Sequence, residues 1–312
     1  MLSLSIANPR QKERPTLLPA GVLLLVAGTL IGLSFPLAKL AAAAGVHPVV
    51  WVGLISFSSA LALLPVAFRD ASFRQLGPRK LRYALIAGPL TFAGPNLLVF
   101  AVIPHTGAGY SGLMFALSPV FTLMVSALFR LQLPTKWGLV GIIFGLAGAA
   151  TVSLSRVTAE SSPSYAMLGL SAAIPLALAL GNVYRSVDWP RDAAPDELAF
   201  LSHLFAGVLY ALLIPFVTDW AGLALLLTVL PLVLAQVAVA AATAPVVFRL
   251  QQRGGPVMLS QMGYVAAGVS LAVGSLWMGE QYPLGTWLGA TVIAGGIGLT
   301  LFASRLPRTE TA

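Results

Sequence analysis

The chain has 312 residues, of which 58% are hydrophobic and only 9% charged, and its mean hydropathy is +0.89. Soluble domains carry about 25% charged residues, so the composition excludes one soluble domain and fits a polytopic membrane protein. The net charge of +8 does not call for a nucleic-acid partner, because the basic residues sit between apolar runs, and the lack of cysteine removes disulfide frameworks and thiolate metal sites.

Ten apolar runs follow in chain order, at 19–40, 48–68, 81–104, 107–129, 137–155, 164–187, 197–217, 221–248, 256–278 and 284–304. One helix needs about 20 apolar residues to cross the hydrocarbon core, so each run is a candidate span. Residues 1–18 form a tail with Arg10, Lys12 and Arg14, and the run behind it is long enough to remain as a span rather than be cleaved. Most gaps are short and hold Pro, Gly or charge, as in Gly45-Val-His-Pro48. The longest polar gap, 156–163, divides the chain into residues 19–155 and 164–304, with a second tail at 305–312.

The two halves echo each other. Gly107 opens a small-residue start followed by an apolar run carrying Pro119, and Gly255 opens a similar run 148 residues later. Trp137, Gly145 and Gly148 recur as Trp287, Gly295 and Gly298 at an offset of 150. Gly32-Leu-Ser-Phe35 has a looser echo in Gly181-Asn-Val-Tyr184, and Phe100 meets Phe248. A nearly constant offset predicts two copies of one half.

Lys and Arg favour the cytoplasmic side. With the N-terminus inside, 16 of the 18 basic residues fall in inner segments, leaving Lys39 and Arg156 outside. Ten spans return the C-terminus to the inside. Five spans per half is an odd number, so the second copy enters the membrane from the opposite face, the arrangement of many secondary transporters. The predicted fold class is an all-α membrane protein of ten transmembrane helices in two inverted five-helix repeats.

Several motifs carry a family resemblance. The chain resembles the drug/metabolite transporter superfamily in its EamA-type ten-span branch. The resemblance rests on Gly32, Phe35 and Lys39 late in the first span, Ser118-Pro119 in the fourth, and Gly279-Glu280 after the ninth. The chain departs from the pattern at Ile31, Gln132 and Ala267. The resemblance implies a central cavity between the halves and transport by alternating access. The expected activity is export of small organic metabolites, such as amino acids or related amphipathic solutes, across the cytoplasmic membrane. No enzyme activity and no cofactor are expected. The expected partners are a small-molecule substrate and the lipid bilayer, no nucleic acid, and optionally a second copy in a homodimer.

Packing and polarity supply the remaining expectations. Gly138, Gly141, Gly145 and Gly148 share one face of the fifth span, and Gly285, Gly289 and Gly296 share one face of the tenth. Small residues allow close helix approach in lipid, so a packing seam is expected, with a sliding surface as the alternative. Prolines inside spans, such as Pro36, Pro89, Pro95, Pro119 and Pro245, remove backbone donors and kink helices.

Uncharged polar residues in mid-span mark either helix-to-helix hydrogen bonds or a cavity lining. The expected substrate-binding set is Phe35, Asn96, Ser118, Tyr184, Gln236, Gln261 and Tyr264. Asn96, Gln236, Gln261 and Tyr264 would contact solute, and Phe35 and Tyr184 would form walls. No metal site is expected, because His47, His105 and His203 show no ligand spacing. No Asp or Glu lies in mid-span, which argues against a carboxylate proton carrier. Lys39 and Arg185 read as snorkelling anchors, with contact to a substrate anion as the alternative. Asp188, Asp192, Asp196 and Glu197 read as a solvated inner loop. An intramembrane enzyme acting on lipid is the competing class, and it would need clustered His, Asp, Glu or Cys at an interface.

Overall fold

The computed structural model describes residues 19–69, 76–129, 136–157, 164–218 and 220–305. These residues are helical throughout, with no strand among them. Seven helical segments are long and apolar enough to cross a membrane, and three shorter apolar helices accompany them, at Lys136–Val152, Met262–Leu276 and Leu284–Gly296. The tails, the 156–163 linker with Arg156, and Gln132 lie outside the described residues or their side chains.

Helix boundaries follow local chemistry. α1 (Ala20–Ala43) ends at Gly45, whose φ of +88° only glycine adopts readily. α2 (Pro48–Arg69) begins on a proline, where the missing donor costs nothing. His47 Nδ1 accepts the Val49 N–H at 3.3 Å beside that start. Burial holds the His47 pKa below its usual value, which keeps that acceptor unprotonated at neutral pH. The third span is built from α3 (Pro78–Ala87), a π-helical turn (Gly88–Ala93) and α4 (Gly94–Thr106). Pro89 lies in the first positions of the π turn and Pro95 in those of α4, and both withhold ordinary helix donors there. Gly107 at φ +88° separates α4 from α5 (Ala108–Ala116), and a turn at Leu117 before Pro119 separates α5 from α6 (Ser118–Leu128).

In the second half, the Ser164 hydroxyl accepts the Met167 N–H at 3.3 Å and caps α8 (Tyr165–Val187), which follows α7 (Lys136–Val157). α9 (Pro195–Val217) starts on a proline. The expected eighth run is divided: α10 (Ala221–Thr228) stops at Val229, and α11 starts before Pro231 and runs Leu230–Ser260. A proline favours the first turn of a new helix over the interior of an old one. The expected connection at 249–255 is helical instead of open. α12 (Met262–Leu276) and α13 (Leu284–Arg305) complete the chain.

The neighbours pair across the two halves. α2 packs on α9, α5 on α12, α7 on α13, α1 on α11 and α12, and α8 on α4 and α6. A Cβ on Gly53 would meet Tyr210 and one on Gly207 would meet Phe57, so α2 and α9 run antiparallel. Gly112 faces Ala267 and Gly263 faces Phe115, so α5 and α12 are antiparallel too. Of the glycines expected to pack, Gly141, Gly148, Gly285, Gly289 and Gly296 lie in the contact between α7 and α13, whereas a Cβ on Gly145 would meet Val120 of α6. A Cβ on Gly148 would sit 2.8 Å from the Gly289 carbonyl, and one on Gly296 would sit 2.7 Å from the Gly141 carbonyl. The Ser155 and Thr286 hydroxyls bond across the same seam at 3.0 Å. Gly295 and Gly298, the sequence echoes of Gly145 and Gly148, instead have open space at their Cβ positions. The seam uses the neighbouring face of α13.

Candidate functional site

α1 defines two ends of the bundle, here called proximal (Ala20) and distal (Ala43). Each is tied by its own ion pairs. At the distal end Lys39 pairs with Glu280, which follows α12. The Glu280 carboxylate also accepts the N–H groups of Ala108 (2.9 Å) and Gly109 (3.3 Å) at the start of α5. A helix N-terminus presents unpaired donors and partial positive charge, so a carboxylate fits there. The small residues at 107–109 leave room for it: a Cβ on Gly107 would sit 3.0 Å from the carboxylate. Lys39 is therefore an ion-pair partner, and two of the three motifs behind the family resemblance meet in one contact.

At the proximal end Lys80 and Glu197 pair at 3.1 Å, with side chains 2% and 0% exposed. Arg82 pairs with Asp188 at 2.6 Å, and Arg249 with Asp196 at 2.9 Å. The acidic stretch 188–197 is thus an ion-paired latch, buried at Lys80–Glu197 and partly exposed at its other pairs, and not merely a solvated loop. Sequence could not show this, because the cations come from the third and eighth runs. Behind it lies an aromatic layer. Tyr83 stacks on Tyr184 at 5.8 Å and meets Trp189 edge-on at 6.2 Å, while Phe92 and Phe248 stack at 5.9 Å.

Between the two ends lies a cavity of about 100 Å³. Its distal wall is the edge-to-face trio Phe35, Phe100 and Phe115. Its proximal wall includes Phe92, His203 and Arg185. Pockets for small molecules usually span roughly 300–1,000 Å³, so this cavity is small, bounded by aromatic rings at both walls.

The local fold brings the walls together. Gly181 lets α8 press on the π turn, where an added Cβ would lie 2.9 Å from the Thr91 Cα. Gly88 lets the same turn press on α9, where a Cβ would lie 2.8 Å from the Ser202 carbonyl. One helical turn beyond Gly181, the Arg185 guanidinium sits 5.4 Å from the Phe92 ring centre and 5.2 Å from that of Phe248. Such cation–π contacts stabilise the charge without neutralising it.

Several buried polar atoms at this cavity have no hydrogen-bond partner: Arg185 Nε and Nη1, Gln236 Oε1, Thr91 Oγ1 and His203 Nδ1. Buried polar atoms are ordinarily satisfied, and leaving one unpaired costs about 1–3 kcal/mol. Among the described residues these atoms gather on one cavity, which makes it the candidate site. Arg185 is 1% exposed and donates from Nη2 only to Asn182 Oδ1, at 3.2 Å. Asn182 in turn donates to Ser118 at 3.3 Å and joins α8 to α6. Gln236 donates to Ser34 at 3.1 Å and joins α11 to α1.

The seven sequence-predicted residues divide. Phe35, Asn96 and Gln236 line the cavity. Ser118 stands behind it as the Asn182 partner. Tyr184 lies in the proximal aromatic layer and donates to Asp188 at 2.7 Å. Gln261 occupies the turn before α12, and Tyr264 lies on α12 with its buried hydroxyl unpartnered; neither lines the cavity. Thr91, Asn182, Arg185 and His203 do line it and were outside the predicted set. The signal for two of them was Asn182 and Arg185 standing three apart, on one helix face, in an otherwise apolar run. A larger groove of about 770 Å³ between α1, α11 and α12 is lined by apolar residues such as Leu37, Val239 and Trp277 together with the paired Lys39. It offers a solute little polar contact. Among the described residues no group of His, Cys, Asp or Glu could hold a metal ion.

Residues 18–154 match the EamA-like transporter family. Over that stretch, which is less than half of the chain, the resemblance to the drug/metabolite transporter superfamily is borne out, and the long apolar helices fit a multi-pass membrane protein. A solved structure titled "Crystal structure of protein" is similar to this chain at a TM-score of 0.55 and 20% identity, covering 89% of this chain and 99% of that one. At that identity it speaks for the fold alone, and it does so across both halves. The comparison with curated proteins gives no match.

Proposed function

We propose that this protein is a secondary carrier that exports small organic metabolites across the cytoplasmic membrane by alternating access. The observation that carries the reading is the cavity with unpaired buried polar atoms, set between two ends that are latched by separate ion pairs. Releasing one latch at a time would expose the cavity to one side at a time. The two latches lie on different helices, so they can open independently.

In this reading the ten apolar runs are ten spans and the halves are inverted repeats. The neighbour pattern supports it. α2, α5 and α7 each pack antiparallel on the helix of the other half that holds the matching place, and the α1–α11 contact has its counterpart in the α8–α4 contact. Exchanging the halves leaves the pattern unchanged, as a two-fold axis in the membrane plane requires. The family match also stops at 154, where the first repeat is read to end. The basic residues put the proximal end and both termini in the cytoplasm.

Counterflow tests the activity. Purified protein in liposomes loaded with a metabolite mixture should accumulate labelled solute transiently against its gradient. Turnover of solute without counterflow would overturn the carrier reading. Cysteines added at either terminus should be labelled only from the cytoplasmic side.

A further inference from the structure

We propose that the solute carries a carboxylate, and that Arg185 binds it inside the cavity; the inference rests on the carrier reading above and names the substrate class of that site. Among the described residues lining the cavity, Arg185 is the one Lys or Arg, and none is Asp or Glu. Among the described residues it forms no ion pair. Each acid of the proximal latch already has a cation or tyrosine, whereas Arg185 has one neutral amide, with Nε and Nη1 left unpaired. A buried charge with such weak compensation is costly unless an opposite charge arrives.

The surroundings fix the geometry of recognition. Phe92 and Phe248 hold the guanidinium at 5.4 and 5.2 Å from their ring centres, and Asn182 holds Nη2 at 3.2 Å. The planar fork is therefore preorganised, with its remaining N–H groups free for a planar, two-oxygen acceptor. A carboxylate meets a guanidinium in that way. A phosphoryl group, with a higher charge, would call for further cations, and the lining has none. A cationic solute would meet Arg185 with no acid to offset it. The distal wall of Phe35, Phe100 and Phe115 suits an apolar tail, and Gln236 Oε1 can accept from a hydroxyl or amine along the way.

The test is thermal stabilisation of the full chain in lipid nanodiscs by acetate, isovalerate and phenylacetate, each beside its amide, amine and phosphonate counterpart. At least one acid should stabilise at concentrations roughly ten- to a hundredfold lower than its amide, the range of one charge-assisted bidentate contact. Arg185→Gln should erase that preference and Arg185→Lys should retain part of it. Should either variant fail to fold, the parent protein's ranking of the twelve solutes decides alone. Equal stabilisation by amide or amine, tighter binding of phosphonate, or no stabilisation by any acid overturns the proposal. Counterflow separates this from the carrier reading. Acids that bind without moving would refute the carrier and leave the Arg185 site standing, whereas counterflow of neutral solutes alone would refute the site and leave the carrier.

Discussion

The α7–α13 seam and the central cavity lie in one helical bundle and differ in how they treat polar groups. In the seam, glycines bring two backbones together: Gly148 faces Gly289, and Gly296 faces Gly141. Polar groups there are paired with each other, as in Ser155 with Thr286. At the cavity, Gly88 and Gly181 also bring backbones close, but among the described residues Arg185, Gln236, Thr91 and His203 keep polar atoms unpaired. Lipid offers helices no hydrophobic drive to associate, so backbone proximity supplies the van der Waals packing that joins them. A seam of that kind is a fixed joint. A cavity with unmet hydrogen bonds is instead a place that gains free energy when a solute enters.

The contrast can be broken most severely at the seam. Gly148→Leu places a side chain 2.7 Å from Ile293 Cγ1 and 2.8 Å from two backbone atoms of α13. Over-packing usually costs about 1–3 kcal/mol, and here the obstruction is backbone that cannot rotate away. The expected outcome is a severalfold loss of folded protein, read by fluorescence-detected size-exclusion chromatography; normal accumulation with lost transport would make the seam a moving surface instead. Next comes the distal latch. Glu280→Gln removes the charge that holds Lys39 and weakens the hold on the α5 N-terminus, interactions worth on the order of 1–3 kcal/mol. The protein should still accumulate, and a cysteine in the cavity should become more reactive from the distal side by about tenfold.

Smaller effects sharpen the same contrast. Gln236→Leu removes an unpaired carbonyl and one bond to Ser34, so stability should hold or rise while transport weakens by about 1 kcal/mol, roughly fivefold. Equal loss of stability and transport would make Gln236 a structural tie only. The smallest effect belongs to Gly295→Ala, on the open face of α13. Its melting temperature should match or exceed the parent's, since alanine is the better helix former.

The outline of the fold was legible in the sequence because span length, basic connections and glycine spacing are local properties. The glycine faces of the fifth and tenth runs could be read helix by helix, and they meet in the structure. The site was legible in part. Asn96, Gln236 and Phe35 stand out in apolar runs, but which way each helix turns is set by packing with distant partners. Gln261 and Tyr264 look alike in sequence and lie elsewhere for that reason. Arg185 sits near a helix end, where a basic residue ordinarily reaches for the interface. It is buried against the rings of Phe92 and Phe248 from two remote helices, and the acids that follow it, 188–197, are tied by Lys80, Arg82 and Arg249. Long-range ion pairs leave no mark in a single sequence.

Because the chain has no native cysteine, single cysteines can report which regions open. Thr243 lines the cavity, and Val152 is fully buried in the seam against Gly289. The most direct test labels Thr243→Cys and Val152→Cys with a membrane-impermeant thiol reagent applied from each side of sealed vesicles in turn. The account expects Thr243→Cys to react from both sides, at rates a transported solute changes, and Val152→Cys to react from neither. Labelling of Thr243→Cys from one side only, or equal labelling of the two positions, would contradict it.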